Sequence, residues 1–406
     1  MKKIAIIGGG PAGIFAAYAA AEHGAMPAIF ERNPEPLMKF LLAGGGNVNF
    51  SNDLPLEDML KRYGRARVFL KSAFYKFTPE ETAAFFGEHA GGTQLEAGKY
   101  LLGRENAKTF AARFPQTLEK MGVQIRRGAR ALEIKKSDAF IVRSETGAEN
   151  FDAVILTTGG LAYPRTGSSG DGFGYAKAFG HAITECVPAL SPINVKENVG
   201  ACAGISPRSA AIKAASGKEN IHTSGDVLFT HRGISGPAAL DASAFVARAL
   251  AEKRAVTIEI DFMPDVAADA LEKRADYRIR ENGAKEAANV FSEFVPRQLF
   301  ETAFKIVGAD PSKKCAVLTR DERRKIVKAL KSLPLTPTGV GGFDEAMVTS
   351  GGVAIAEVDK STMESRIMPG LYFAGEILDY DGPTGGFNIQ AAISTGYLAG
   401  ANATLS

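Results

Sequence analysis

Lys3-Ile4-Ala5-Ile6-Ile7-Gly8-Gly9-Gly10-Pro11-Ala12-Gly13 is the stretch whose reading decides the fold. An apolar run runs into a glycine turn, then an alanine-rich helix over Ile14 to His23, then Pro27-Ala28-Ile29-Phe30 ending in Glu31. This is strand, turn, helix, strand, the context in which a GxGxxG pattern marks a dinucleotide site. Gly8 allows the tight turn, Gly10 lets backbone approach a pyrophosphate, and Gly13 lets the helix pack against the strand. Pro11 and Ala12 begin the helix, whose N-terminal N–H groups and dipole favour an anion. Glu31 stands 18 residues past Gly13, where a carboxylate accepts hydrogen bonds from an adenosine ribose and disfavours a 2′-phosphate.

The chain of 406 residues is long enough for two or three domains. Its 48 basic and 45 acidic residues leave a net charge of +3, and no dense basic run carries interleaved aromatics. The sequence reading is therefore a small-molecule substrate and no nucleic-acid partner. No apolar run reaches membrane-spanning length and no signal-peptide layout is seen, so the expected location is cytoplasmic, with no membrane partner. Cys186, Cys202 and Cys315 form no CxxC pair. They read as apolar filler rather than as a redox pair or a metal site.

Gly44-Gly45-Gly46-Asn47-Val48-Asn49-Phe50-Ser51-Asn52 reads as an irregular polar loop, a second cradle for the same ligand. Residues 55 to 122 read as largely helical. Short strands follow near Val123 to Ile125, Ala131 to Ile134 and Phe140 to Arg143, grouped as a small antiparallel ribbon. Phe151 to Gly160 is a buried strand ending at Thr158-Gly159, which returns the chain to the ligand. Tyr163 to Gly172 is a polar glycine loop before a helix from Phe173 to Phe179. Residues 193 to 263 are β-rich around His231-Arg232-Gly233, and 265 to 332 are charged and helical. Neither part carries a second GxGxxG.

The fold expected is α/β: a Rossmann-like dinucleotide-binding domain over 1–190 and 345–406, an inserted β-rich domain over 191–264 and 333–344, and a helical domain over 265–332. In the last segment, Gly370 to Phe373 is a strand that stops at Gly375-Glu376. Asp379, Gly382 and Gly385-Gly386-Phe387-Asn388 lead into a small-residue helix. That helix directs its dipole at a group gaining negative charge, as a flavin pyrimidine edge does on reduction.

Together these motifs resemble the two-dinucleotide-fold flavoproteins, and more closely the BaiN-like family of bacterial NAD(P)/FAD-dependent oxidoreductases of the aminoacetone-oxidase type. The resemblance rests on Gly8 to Gly13, Gly44 to Asn52, Thr158 through Gly172, Leu228 to Pro237 and Val348 to Gln390. It implies a non-covalently bound FAD. It places Gly8, Gly10 and Gly13 at the pyrophosphate, Glu31 and Arg32 at the adenosine side, Arg130 near adenine, and Lys39, Gly45, Gly46, Asn47 and Asn49 in the second loop. Thr158 and Gly159 back the cofactor, Gly375, Glu376 and Asp379 meet its pyrophosphate and ribityl part, and Gly385, Gly386, Phe387 and Asn388 meet the ring. The family pattern Gly-Gly-Gly-Arg-Cys-Asn is altered here, with Asn47 and Val48 in place of the arginine and cysteine.

The function implied is hydride transfer between flavin and a small organic substrate, with two sources of electrons left open, NAD(P)H docking as a transient reductant or another donor, and with molecular oxygen as an alternative acceptor. His231, Tyr163 and Arg165 are the candidates for handling the proton or holding the substrate, histidine because it ordinarily titrates near neutrality. A flavin-binding protein with a regulatory or interaction role and no turnover is the rival reading. A flavin-free NAD-dependent dehydrogenase is a third, and it leaves the C-terminal glycines without a role.

Overall fold

The computed structural model describes residues 1–405, and its chain divides into two compact units, Met1–Cys186 with Val348–Ser406, and Val187–Met347. In the first unit the strands β1 (Lys3–Ile7), β2 (Met26–Phe30), β3 (Gln124–Arg126), β4 (Ala153–Leu156) and β5 (Leu371–Phe373) form one parallel sheet in the order β5-β4-β1-β2-β3. Register pairs Lys3 with Met26, Ile4 with Ala153, Ala28 with Gln124 and Val154 with Leu371. The apolar runs are continuous because these central strands are covered on both faces. Parallel direction brings Ile7, Phe30, Leu156 and Phe373 to one sheet edge, the carboxyl edge where open α/β sheets take their ligands. The residues near 124 were expected in the antiparallel ribbon; they extend the parallel sheet instead. The ribbon is Ala131–Lys136, Phe140–Ser144 and Gly147–Phe151.

The first helix, Pro11–Glu22, is buried nearly all round, which is why it is alanine-rich rather than striped. Small residues let it meet the C-terminal helix, Phe387–Ala403, at van der Waals contact. A methyl group on Gly396 or Gly400 would lie 2.3 Å from Ala12 O or 2.1 Å from Ala16 O. A cluster of Phe15, Phe77, Phe85, Phe86, Phe110 and Phe114 packs the other helices of residues 55–122 beneath it. That segment also holds two short strands, Gln94–Glu96 and Lys99–Leu102.

In the second unit, antiparallel strands such as Ala210–Ser216 and Thr257–Asp261 bury Ile212, Ile258 and Ile260. The helices of 265–332 bury Leu271, Phe300, Ile326 and Leu330 in the same core. The β-rich and helical segments therefore make one mixed body.

One buried titratable group follows from the packing around β5. His181 lies edge-on to Phe373, its Nε2 2.8 Å from Ser365 Oγ and its Nδ1 3.2 Å from Glu357 Oε2. Burial lowers its pKa, more than the Glu357 carboxylate raises it. A depressed histidine stabilises the fold when neutral, so this contribution is present above the unfolded pKa of about 6.5 and is lost on acidification through the lower folded value. Thermal unfolding followed from neutral pH downward is expected to fall less steeply in His181→Gln than in the parent chain. Parallel curves would remove His181 from the acid response.

Candidate functional site

The glycine turn is built by close approaches. Gly8 donates its N–H to Phe30 O at 2.9 Å and has φ +111°, with Thr157 O 2.6 Å from where a side chain would begin. Thr157 Oγ1 donates to the carbonyls of Ile7 and Gly8 at 3.0 and 2.8 Å. At Gly13 a methyl group would sit 1.9 Å from Gly8 O, so only glycine fits. Gly10 is different: a methyl group there would meet nothing within 4 Å. Gly10 caps the first helix with no side-chain hydrogen bond, and Pro11 follows it, so the first-turn N–H groups of Ala12 and Gly13 have no intrahelical acceptor. The turn is closed on the strand side and open where an anion would come.

Glu31 lies under this turn, buried, its Oε2 accepting the Gly9 N–H and its Oε1 the Asn33 N–H, both at 2.7 Å. Burial raises its pKa, and the two N–H donors pull it back down. Each oxygen keeps a lone pair for another donor.

In the second loop, Gly44, Gly45 and Gly46 all have positive φ, and Asn47 N donates to Gly44 O at 3.2 Å. The expectation of an irregular stretch through Asn52 is corrected: Val48–Asn52 is a strand paired with Lys99–Leu102, because that cross-strand ladder outweighs the local glycine signal. Arg104 donates Nη2 to Gly45 O at 2.6 Å, and its N–H reaches Asn47 Oδ1 at 3.2 Å. Lys39 Nζ pairs with Glu376 Oε2 at 2.6 Å, and Glu376 Oε1 accepts the Thr349 N–H at 2.9 Å. Two residues expected to touch the cofactor separately are thus partners.

Thr349 also joins the third loop, its Oγ1 accepting N–H groups of Leu161 and Ala162 at 2.7 and 3.1 Å. Gly159 has φ +72°. Arg32 Nη1 bonds Ser169 and reaches Asp171 at 3.3 Å, while Arg130 Nε bonds the same carboxylate at 2.8 Å. Asn33 Nδ2 donates to Thr166 O at 2.8 Å. Arg32 and Arg130 therefore hold the loop from Tyr163 to Asp171 in place. In that loop Tyr163 is half-buried at φ +54°, its carbonyl accepting both the N–H and the Oγ1 hydrogen of Thr166, and Arg165 is exposed. His231 lies in the second unit, exposed on the turn between Leu228–Phe229 and Gly233–Ser235.

At the C-terminal end, Gly375 at φ +78° packs on Ala12 and donates to Thr395 Oγ1 at 3.0 Å. Asp379 is buried, bound by Arg65 at 2.5 Å and by Thr184 Oγ1 at 2.7 Å. Asn388 spends its amide on Gly382, its Oδ1 accepting that N–H and its Nδ2 donating to the carbonyl, both at 2.8 Å. Asn388 thus shapes the loop. Phe387 O accepts from Tyr63 OH at 2.7 Å. Gly385 and Gly386 have φ +115° and +89°, and Gly386 caps the C-terminal helix without a side chain. A methyl group on Gly386 would lie 2.5 Å from Ser51 N and 2.6 Å from Asn49 Oδ1. Asn49 Oδ1 and Thr158 Oγ1 are both buried without a hydrogen-bond partner in the protein.

An open, capless helix start beside a buried carboxylate, a second capless start packed against the unpartnered Asn49 Oδ1, and the unpartnered hydroxyl of Thr158 fit an extended polar ligand with an anionic centre. FAD has that form. Sequence reading did not single out Thr157, Thr349, Arg104 and Arg65, whose roles depend on partners distant in the chain. Of these, Thr157 and Thr349 lay inside stretches already singled out in the sequence, Phe151 to Gly160 and Val348 to Gln390.

A family model described as the HI0933-like protein Rossmann domain matches residues 2–402. The chain is 30% identical over 404 residues to a 3-dehydro-bile acid delta(4,6)-reductase of Clostridium scindens, covering 98% of each chain. It is 28% identical over 400 residues to a ribosomal RNA dihydrouridine synthase of Escherichia coli, covering 97% of this chain and 95% of that one. Among solved structures, FrdA of the E. coli quinol fumarate reductase shares the fold at TM-score 0.51 and 16% identity, over 100% of this chain and 71% of that one. Among the described residues, no helix is long and apolar enough to cross a membrane.

Proposed function

This chain belongs to the HI0933-like Rossmann family and is an FAD-dependent oxidoreductase, and from that premise we propose that it transfers hydride between flavin and a small organic substrate, saturating a carbon–carbon double bond conjugated to a carbonyl, with NAD(P)H as reductant. The observation that carries the reading is the carboxyl edge of the parallel sheet, where the open turn at Gly10, buried Glu31 and the Lys39–Glu376 pair stand together. Support for the bond reduced comes from the two relatives, one named a delta(4,6)-reductase of a 3-dehydro-bile acid and the other a dihydrouridine synthase.

When bound, FAD supplies the two-electron chemistry. In this reading the N–H groups of Ala12 and Gly13 bind the pyrophosphate, and the free lone pairs of Glu31 accept ribose hydroxyls. Lys39, neutralised by Glu376, adds a donor without a net charge at the ribityl part. Asn49 Oδ1 suits an N–H of the ring, and the Gly386 helix start favours charge at the ring's pyrimidine edge. With Val48 and Asn47 in the second loop, no thiol or imidazole there is available for a covalent link.

Tyr163 is the residue favoured for the proton that must reach substrate carbon or oxygen. Its left-handed backbone, fixed by two bonds from Thr166, is the kind of strain that persists where a side chain must be aimed. Arg165 is exposed and suits a substrate carbonyl or carboxylate. His231 keeps its place as a proton-handling candidate of the second unit.

The test is anaerobic: NADH, then NADPH, followed by an α,β-unsaturated ketone or its saturated analogue, with the flavin bands recorded throughout. Bleaching by a nicotinamide and recovery with the unsaturated ketone alone is expected. Failure of both nicotinamides would remove the NAD(P)H link, and equal recovery with both ketones would remove the double bond as the target. Bands that respond to nothing would favour a role without turnover.

A further inference from the structure

Thr349 stands, fully buried, on the strand Val348–Val353. Its hydroxyl oxygen accepts two successive backbone N–H groups, from Leu161 at 2.7 Å and from Ala162 at 3.1 Å. The approach is close enough to need a glycine beside it, since a methyl group on Gly160 would lie 2.4 Å from the same oxygen. Branching at Cβ leaves the side chain little freedom at χ1, so the oxygen is a fixed point. The backbone beneath it is fixed as well. Thr349 donates its N–H to Glu376 Oε1 at 2.9 Å, and Glu376 Oε2 is held by Lys39 at 2.6 Å.

The residue after Ala162 is Tyr163, whose φ of +54° is a conformation that a bulky side chain rarely adopts and that persists only where the surroundings enforce it. On the C-terminal side its carbonyl accepts the N–H and the Oγ1 hydrogen of Thr166, at 2.8 and 2.7 Å. Those bonds fix the chain as it leaves Tyr163. The Thr349 bonds fix it as it enters: with Leu161 and Ala162 tied to one oxygen, Tyr163 is gripped from both sides.

Resting on the reading of Tyr163 as the residue that handles the proton, we propose that Thr349 is its positioning residue. The hydroxyl sets the backbone at Leu161 and Ala162, and through it the direction in which the Tyr163 phenol is presented. Because Glu376 ties Thr349 to Lys39, one fixed point serves both the second loop and the tyrosine. Thr349 itself touches neither flavin nor substrate in this role.

The experiment uses the holoprotein and reads hydrogen–deuterium exchange over residues 160–166, beside the rate at which an α,β-unsaturated ketone restores the bands of flavin reduced by dithionite. In the parent chain the Leu161 and Ala162 amides should exchange slowly although they lie in a loop. Thr349→Val keeps the size of the side chain and the N–H to Glu376 but removes the acceptor, so exchange there should rise about tenfold while FAD affinity and the native flavin spectrum stay. The reoxidation rate should fall about 100-fold at saturating ketone, and Thr349→Ser should recover the protection and most of the rate. In Thr349→Val/Tyr163→Phe the loss should be no larger than in Tyr163→Phe alone, because residues that act as one unit are not additive. Fast exchange at Leu161 and Ala162 in the parent, unchanged exchange in Thr349→Val, or additive losses in the double variant would each overturn the proposal. Parent rates in Tyr163→Phe would overturn the reading of Tyr163 and the proposal with it, even with slowed exchange as expected in the parent, so the two failures are told apart.

Discussion

Gly13→Ala is expected to yield no folded flavoprotein. The added methyl group would lie 1.9 Å from Gly8 O and 2.8 Å from Thr157 Oγ1, so the first helix would have to withdraw from β1. It has nowhere to go. On its far side Gly396 and Gly400 already bring the C-terminal helix against the carbonyls of Ala12 and Ala16, with 2.3 and 2.1 Å left for any side chain. A clash that neither partner can relieve belongs with the largest single-residue effects, about 4 kcal/mol or more, out of a total stability of about 5–15 kcal/mol. Gly10→Ala is the control, since its methyl group would meet nothing in the protein. Thermal unfolding of that variant should match the parent while FAD affinity falls, because the methyl group would stand where the pyrophosphate approaches. A Gly13→Ala protein that unfolds at the parent temperature would contradict the packing described.

The second large effect is expected at Glu31. Its two oxygens accept the N–H groups of Gly9 and Asn33, and its remaining lone pairs face the ligand side in the proposed function. Glu31→Ala removes these charge-assisted bonds, each worth about 1.5–3 kcal/mol, and releases the turn that should present the pyrophosphate donors. FAD affinity should fall by about 100-fold, measured by equilibrium titration of the apoprotein with FAD. Full flavin retention in the purified variant would remove Glu31 from the site.

The parts legible in the sequence are those with local causes. Gly8, Gly10 and Gly13 signal a turn because backbone conformation and close packing require it within a few residues, and Glu31 follows from the length of one strand–helix–strand unit. The small-residue C-terminal helix, Phe387–Ala403, is visible for the same reason. Partnerships across the chain are not legible. Lys39 with Glu376 and Arg65 with Asp379 join residues 337 and 314 positions apart, and nothing in the composition of either segment names the other. Thus Lys39, Asp379, Arg32 and Arg130, expected at the ligand, also have protein partners that the sequence does not name. The strand Val48–Asn52 was hidden because its ladder partner lies beyond three helices, and Gln124–Arg126 because three residues carry too little periodicity to show which sheet they join.

The central claim is that FAD sits at the carboxyl edge of the first unit's parallel sheet, held without a covalent bond. The most direct measurement is the visible spectrum of the purified chain, before and after heat denaturation and removal of the protein. The account predicts flavin bands in the native protein, and one FAD per chain in the supernatant with none on the precipitate. A colourless protein that gains no bands when FAD is added, or flavin that stays with the denatured chain, would contradict it.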